Sequence, residues 1–321
     1  MNIPVFDLHC DTALALLGKD LKQRGSLRKN EYHIDLERAA TLSGYAQCFT
    51  CFTTPFMEQW NHTSPLAVFE RELEGIMRQL ELNEDLISLA LCAGDVEENR
   101  KKGKMSAILT IEGPAGFGFD PGLLPVLHKA GFRITSLGWN ESNVLTGSHQ
   151  TGEGLTALGR EYVQEAQSLG MLIDVSHISD QGFWDIMDIT KAPVIATHSN
   201  SRAVRDVSRN LTDEMFKAIC ATGGVAGLNL CPDFIGADAD LDKACDHVLH
   251  FLQLDPTGTH IALGGDLDGV DSLPRGFEGV QSYPALAQRL LERGVEEKTL
   301  QDIFWNNALG VMKRAVCNHT R

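Results

Sequence analysis

The sequence predicts an α/β fold in which eight parallel strands close into a (β/α)8 TIM barrel. Three observations carry that expectation. Short apolar runs alternate with amphipathic stretches along almost all of the 321 residues, the order that builds a parallel sheet. Eight such runs can be counted, which suits a barrel better than an open doubly wound sheet. Five of these runs end in a side chain of the metal-ligand or acid/base type, where a barrel's strands converge on its active face.

The strand-like runs are 4–9 (PVFDLH), 44–52 (GYAQCFTCF), 106–111 (SAILTI), 133–138 (RITSLG), 172–176 (LIDVS), 193–197 (PVIAT), 223–230 (GGVAGLNL) and 260–265 (HIALGG). Each has strand length rather than helix length. Helical patterns are predicted at 64–91, 121–130, 159–169, 179–190, 212–221, 239–254, 284–293 and 297–316. In the first, Leu66, Phe69, Leu73, Ile76, Met77 and Leu80 make one apolar stripe. Ser179 and Thr212 stand where N-caps belong, and Asp213 and Glu214 suit the positive end of a helix dipole. Gly131, Gly170 and Gly223 follow helices as C-terminal stops. No Gly-rich dinucleotide turn follows the first strand. Without repeats or linkers, one domain over 1–321 is the simplest account. The long loops 18–43 and 139–158 follow strands and so are expected on the active face, as lids or substrate walls.

A net charge of −15 and a pI near 5.1, with no basic tract, argue against nucleic acid or an anionic membrane as a partner. The N-terminal MNIPVFDLHCDTA has no secretory-signal pattern, no apolar run reaches membrane-spanning length, and the C-terminal RAVCNHTR is polar. A cytoplasmic protein is expected. The eight cysteines have no framework spacing. Cys48 and Cys51 form a C-x-x-C inside a strand-like run, where core packing is the expected role.

The chemistry-bearing residues are His9 and Asp11 in FDLHCD, Glu112 in LTIEG, His177 in DVSH, His198 in IATHS and Asp266 in GGDLDG. His9 and Asp11 are spaced i, i+2, which on a strand points both the same way. Imidazole nitrogen with carboxylate oxygen suits zinc, and also manganese, iron or cobalt. Glu112 has two oxygens and can bridge two cations. Singly, each has an ordinary explanation: a core histidine, a capping or loop acid, a D-x-D-G turn. Together they supply two sites sharing Glu112. One is His9, Asp11 and Glu112; the other is Glu112, His177 and His198. Two close ions share a water and lower its pKa, and the hydroxide attacks a carbonyl carbon polarised by an ion. Asp266 takes the water's proton and passes it to the leaving amine. Asp268 is expected in a supporting or turn role.

These stretches, with SLGWNESN, GLTALGREYV, APVIATHSNSRAV, SRNLTDE, the SYPALAQRLLERG helix and NNALGVMK, resemble the renal (membrane) dipeptidase family of the amidohydrolase superfamily. The resemblance covers most of the chain. It implies a barrel that hydrolyses dipeptides at a binuclear zinc centre, tolerates a D-residue on the carboxyl side, and commonly forms a homodimer. It implies His9, Asp11, bridging Glu112, His177 and His198 as zinc ligands, Asp266 as the acid/base, and Arg209 as the grip on the substrate carboxylate. Trp139 stands where mammalian members place a histidine near the substrate carbonyl, which leaves that hydrogen bond to Asn140, to another residue or to none. Cys231 stands where a tyrosine is typical. The animal enzymes' membrane-anchor segments are missing, as in a cytosolic bacterial form. Other amidohydrolase reactions on this frame (N-acyl amino-acid deacylation, lactone hydrolysis) and a catalytically silent metal-binding protein are the competing readings.

Overall fold

The computed structural model describes residues 1–315 except Lys19 and His62; residues 316–321, with Cys317 and the end of the 297–316 pattern, lie outside the described residues. Eight parallel strands form the barrel: β1 (Val5–Cys10), β2 (Tyr45–Phe52), β3 (Met105–Glu112), β4 (Phe132–Thr135), β5 (Leu172–Asp174), β6 (Val194–Ile195), β7 (Ala226–Leu228) and β8 (Ile261–Leu263). Hydrogen bonding runs β6-β5-β4-β3-β2-β1-β8-β7. The remaining seam closes through a parallel bridge between Ala196 and Ala226, with Gly227 N–H donating to the Ala196 carbonyl at 2.8 Å. Side-chain-free residues make this seam possible. A Cβ on Gly264 would stand 1.7 Å from the Thr197 carbonyl oxygen, and one on Gly227 2.0 Å from it. The carbonyl before His198 is thereby locked between two neighbouring strands.

Most predicted elements form where expected, with the predicted caps. Ser179 accepts from Gly182 N–H and Thr212 from Met215 N–H. Gly131, Gly170 and Gly223 take positive φ after their helices. Three elements differ. The helix predicted over 64–91 stops at Leu82, and Ile87–Leu89 instead pairs in parallel on the outside of β3. The charged segment Ala93–Lys101, which the apolar periodicity passed over, is a helix held by Asp95 at its N-terminus. The 297–316 pattern is Glu297–Gln301, a π turn at Asp302–Asn306 and Asn307–Ala315.

The π turn and last helix carry Trp305, Ala308 and Met312 against Phe6, Leu8 and Ile108 of the strands, in one buried cluster with Cys48. This cluster is the barrel floor. Cys48 and Cys51 are buried free thiols whose pKa burial raises well above the usual range, a packing role. No helix among the described residues is long and apolar enough to cross a membrane.

Candidate metal centre

A bulge aims the first ligand. Between Asp7 and Cys10, β1 uses three residue steps where β2 uses two, Gln47 to Phe49. The extra residue breaks strict alternation. Leu8 packs into the floor, and His9 reaches the axis as well, its ring stacked on His198 at 3.7 Å between centroids. The Asp7 carboxylate pins the bulge, accepting from His9 N–H and Gly265 N–H, both at 3.0 Å, and from the Tyr283 hydroxyl. Spacing i, i+2 on one strand therefore does not describe His9 and Asp11. The strand ends at Cys10, and Asp11 is the N-cap residue of the short helix Thr12–Ala15. The pair still meets, with Asp11 Oδ2 3.4 Å from His9 Nε2.

Glu112, the last residue of β3, offers one oxygen to each side. Its Oε2 lies 3.0 Å from His9 Nε2 and its Oε1 3.0 Å from His177 Nε2. His177 Nε2 is in turn 3.0 Å from His198 Nε2. Asp266 Oδ1 completes the ring, 3.9 Å from His9 Nε2. His177 and Asp266 both have left-handed backbones, φ 68° and 57°, a costly conformation for residues with a Cβ and one that clusters at functional sites.

Outer partners fix the imidazoles. His177 Nδ1 meets Asn140 Oδ1 at 2.8 Å. An amide oxygen only accepts, so His177 carries its proton on Nδ1 and keeps the Nε2 lone pair for the centre. His198 Nδ1 lies 2.7 Å from Thr197 Oγ1, which donates to Asp174 Oδ2 at 2.5 Å. His9 Nδ1 faces Thr50 Oγ1 at 3.4 Å. Asn229 Nδ2 donates to Asp266 Oδ2 at 3.1 Å and to the His198 carbonyl at 3.2 Å.

The centre is buried and electrostatically unfinished. Burial alone would keep His9 neutral, but Glu112 and Asp11 outweigh it and lift its pKa well above the usual range. Burial pushes Asp11 up to about 6 and raises Asp266. Burial opposes charge on Glu112 too, yet His177 and His9 hold it well below the carboxylate range. Burial, with Arg209 adding to it, lowers His177 to about 4; burial with His9 takes His198 well below its usual value. Asp11 Oδ1 is buried without a hydrogen bond, and His9 Nε2 faces only carboxylate oxygens. Donors on one tetrahedral zinc stand about 3.3 Å apart, close to the spacings within this ring. His9, Glu112 and His198 form one group able to hold a divalent ion, and His9, Asp11 and Asp266 another; these groups share His9, where the sequence led to two sets sharing Glu112. The donor set fits zinc or a similar cation.

A cavity of about 250 Å³ opens above the ring, walled by Leu14, Phe52, Trp139, Asn140, Cys231 and Phe234 beside the acids. Trp139 packs edge-on against Phe52 and Trp60. The aromatic ring in the loop after β7 is Phe234, three residues past Cys231. Asp268 ties the 18–43 loop to the mouth, accepting from Thr12 Oγ1 and His33 N–H, both at 2.6 Å. Arg209 is not on the main cavity wall. It lines a small adjoining pocket with His177 and Ser199, and its guanidinium carbon sits 5.6 Å from the Phe234 ring centroid. Its Nη1 donates to Ser199 Oγ at 2.7 Å, while Nε and Nη2 are buried without partners. That pair is the side-on fork with which Arg289 holds both oxygens of Asp242, at 2.7 and 2.8 Å. Sequence reasoning missed Asp174, Asn229 and His149. The available signal for the first two was a polar residue inside an apolar strand run, LIDVS and VAGLNL.

Barrel and site together define a metal-dependent hydrolase class. The chain belongs to the membrane dipeptidase family, peptidase family M19, whose family model matches residues 1–321. It is 31% identical over 264 residues to an uncharacterized dipeptidase of Schizosaccharomyces pombe, a match covering 79% of this chain but 64% of that protein, under two thirds of its length. It is 32% identical over 266 residues to an uncharacterized Klebsiella pneumoniae protein from the pqqA 5′ region, covering 78% of this chain and 96% of the relative. A Rhodobacter sphaeroides metallopeptidase, solved with a phosphinate mimic of the dipeptide L-Ala-D-Ala, superposes with a TM-score of 0.86 at 26% identity, covering 98% of this chain and all of that one.

Proposed function

We propose that the chain is a metal-dependent dipeptidase acting as one catalytic domain over residues 1–321. Two zinc ions would be held in it, one by His9, Asp11 and Glu112, the other by Glu112, His177 and His198. Bound zinc supplies Lewis acidity to the scissile carbonyl and a water nucleophile at neutral pH. Asp266 accepts the water's proton and returns it to the leaving amine. Its burial-raised pKa suits that exchange, and Asn229 on Oδ2 leaves Oδ1 facing the ring. Arg209 grips the substrate's terminal carboxylate. Trp139 walls the cavity, and Asn140 keeps its Nδ2 for substrate while Oδ1 fixes His177.

The observation that carries this reading is the Arg209 fork. A buried guanidinium with two unpartnered N–H groups is costly unless an anion completes it. A free carboxylate reads that fork bidentately, and a dipeptide has one. The L-Ala-D-Ala mimic bound by the Rhodobacter sphaeroides relative supports extending the range to a D-residue on the carboxyl side. Among the described residues all seven cysteines are free, which suits a reducing cytoplasm. The family resemblance supports a homodimer.

The test is a panel of L-L and L-D dipeptides, their C-terminal amides and N-acyl amino acids, assayed with and without zinc. Turnover is expected for free-carboxylate dipeptides, only with metal. Asp266→Asn is expected to keep its metal and lose about 10²–10⁴-fold in kcat, the usual worth of a general acid/base. A metal-loaded protein that cleaves no dipeptide would sink the reading, and N-acyl amino-acid cleavage alone would replace it with deacylation.

A further inference from the structure

We infer that His149 is a positioning residue that ties the metal-ligand histidine to the carboxylate-gripping arginine, one element of substrate binding mechanically linked to the other. The roles of His177 and Arg209 in this inference rest on the proposed dipeptidase reading. His149 lies in the polar loop after β4. Its backbone N–H donates to the His177 carbonyl at 2.8 Å, and the neighbouring Ser148 bridges to Ile178. The loop is thereby stitched to the end of β5.

Its side chain makes two further bonds, and their directions can be worked out. Nε2 lies 2.9 Å from Asn140 Oδ1, the atom that also receives His177 Nδ1–H at 2.8 Å. Were that amide flipped, His177 would have to accept on Nδ1 and carry its proton on Nε2, where no metal could then bind. The oxygen must face both rings, and an amide oxygen has two lone pairs to do so. His149 therefore donates from Nε2. A neutral imidazole then accepts on Nδ1, where Ser208 Oγ lies at 2.9 Å, so the Ser208 hydroxyl is the donor. Ser208 directly precedes Arg209. Its carbonyl is held at 3.0 Å by Arg202 Nη2, and Arg202 is clamped to Asp180 at 2.7 and 2.8 Å. The chain of bonds runs from Ser208 to His149 to Asn140 to His177, each group with one fixed role. Asn140 with His149 sets the lone pair of one metal ligand, and Ser208 with Arg202 sets where the guanidinium stands.

His149→Phe keeps a ring and removes both bonds. His149→Gln keeps one donor and one acceptor on a neutral planar group. Two readouts apply: zinc affinity by chelator competition, and KM for a free dipeptide against its C-terminal amide. Removing a hydrogen-bonding partner behind a metal ligand typically costs about 10–100-fold in metal affinity or activity. The Phe variant is expected to lose zinc affinity toward that range and to raise KM for the free dipeptide far more than for the amide. The Gln variant is expected to recover both to within a few-fold. Wild-type zinc affinity and KM in the Phe variant would overturn the inference, and so would a Gln variant as impaired as Phe, which would leave His149 a packing role only. If the wild-type protein cleaves no dipeptide, the dipeptidase reading fails separately, and zinc affinity with Gln rescue still decides the case for His149.

Discussion

At the floor of the barrel Phe6, Leu8, Cys48 and Ile108 close on Trp305 and Ala308 with nothing left over. Two and four positions further along β3, Thr110 and Glu112 face a ring of imidazoles and carboxylates that is buried to the same degree. The two storeys share strands, burial and helices, and differ in how they reach electrical balance. The floor satisfies itself by packing. The mouth gathers His9, Asp11, Glu112, His177, His198 and Asp266 around one crowded point, with Asp11 Oδ1 lacking any hydrogen bond. A buried polar group without a partner costs free energy, so the mouth needs an ion that the floor does not. The strained His177 and Asp266 backbones also sit in the upper storey. Stability is concentrated in one layer and spent on chemistry in the next.

The sharpest way to break this contrast is to change Glu112, whose two oxygens lie 3.0 Å from His9 Nε2 and from His177 Nε2. Glu112→Gln keeps the shape and removes the charge. Because loss of an outer partner alone costs about 10–100-fold, loss of the shared carboxylate is expected to cost more than about 100-fold in zinc affinity and in turnover. Metal analysis and dipeptide assay would measure both. Two zinc ions per chain retained in this variant would contradict the bridge.

The floor should respond the other way. Leu8→Ala empties a fully buried position in the packed layer and is expected to cost about 2–5 kcal/mol in urea unfolding. Below its unfolding transition it should keep the wild-type zinc stoichiometry and KM. A folded Leu8→Ala protein that lost its metal would show that the storeys are coupled through the β1 bulge, since Leu8 and His9 are adjacent residues aimed into the same barrel.

That bulge marks the limit of what was legible in the sequence. The candidate ligands could be picked out because each polar residue stands at the end of an apolar run, and runs show strands. The alternation argument brought His9 and Asp11 together by a geometry that β1 does not have. A one-residue bulge leaves no trace in a period-two pattern, and its pin, Asp7, looks like any polar residue in a strand. The 64–91 helix was overextended because ISLAL after the turn at Asn83 continues the apolar run, while a three-residue edge strand is too short to announce itself. The charged Ala93–Lys101 helix has no apolar stripe to detect. His149 was out of reach because its partner Ser208 is 59 residues away, and only the closed barrel brings the loops after β4 and β6 together.

The smallest effect, and the finest probe of the contrast, is the proton balance of metal loading. A ligand must shed its proton before it binds. His9, which burial would keep neutral but Glu112 and Asp11 lift well above its ordinary value, must give up a proton to bind. Asp11, with a pKa of about 6, is mostly charged at pH 7 and mostly protonated at pH 5. His177 at about 4 and His198, held well below its usual value, favour the neutral form and add little. Loading is therefore expected to release more protons per chain at pH 5 than at pH 7, by up to about one from Asp11, and zinc affinity should fall more steeply per pH unit as pH drops. Indicator-dye titration with zinc in weak buffer would count the protons. Asp11→Asn should flatten the rise toward pH 5 and leave the release at pH 7 nearly intact. Leu8→Ala should change neither, because its environment in the floor cluster is apolar. A release that stays constant from pH 7 to pH 5 would mean that Asp11 is not held in the raised state its burial dictates, and the electrical distinction between the two storeys would then rest on His9 alone.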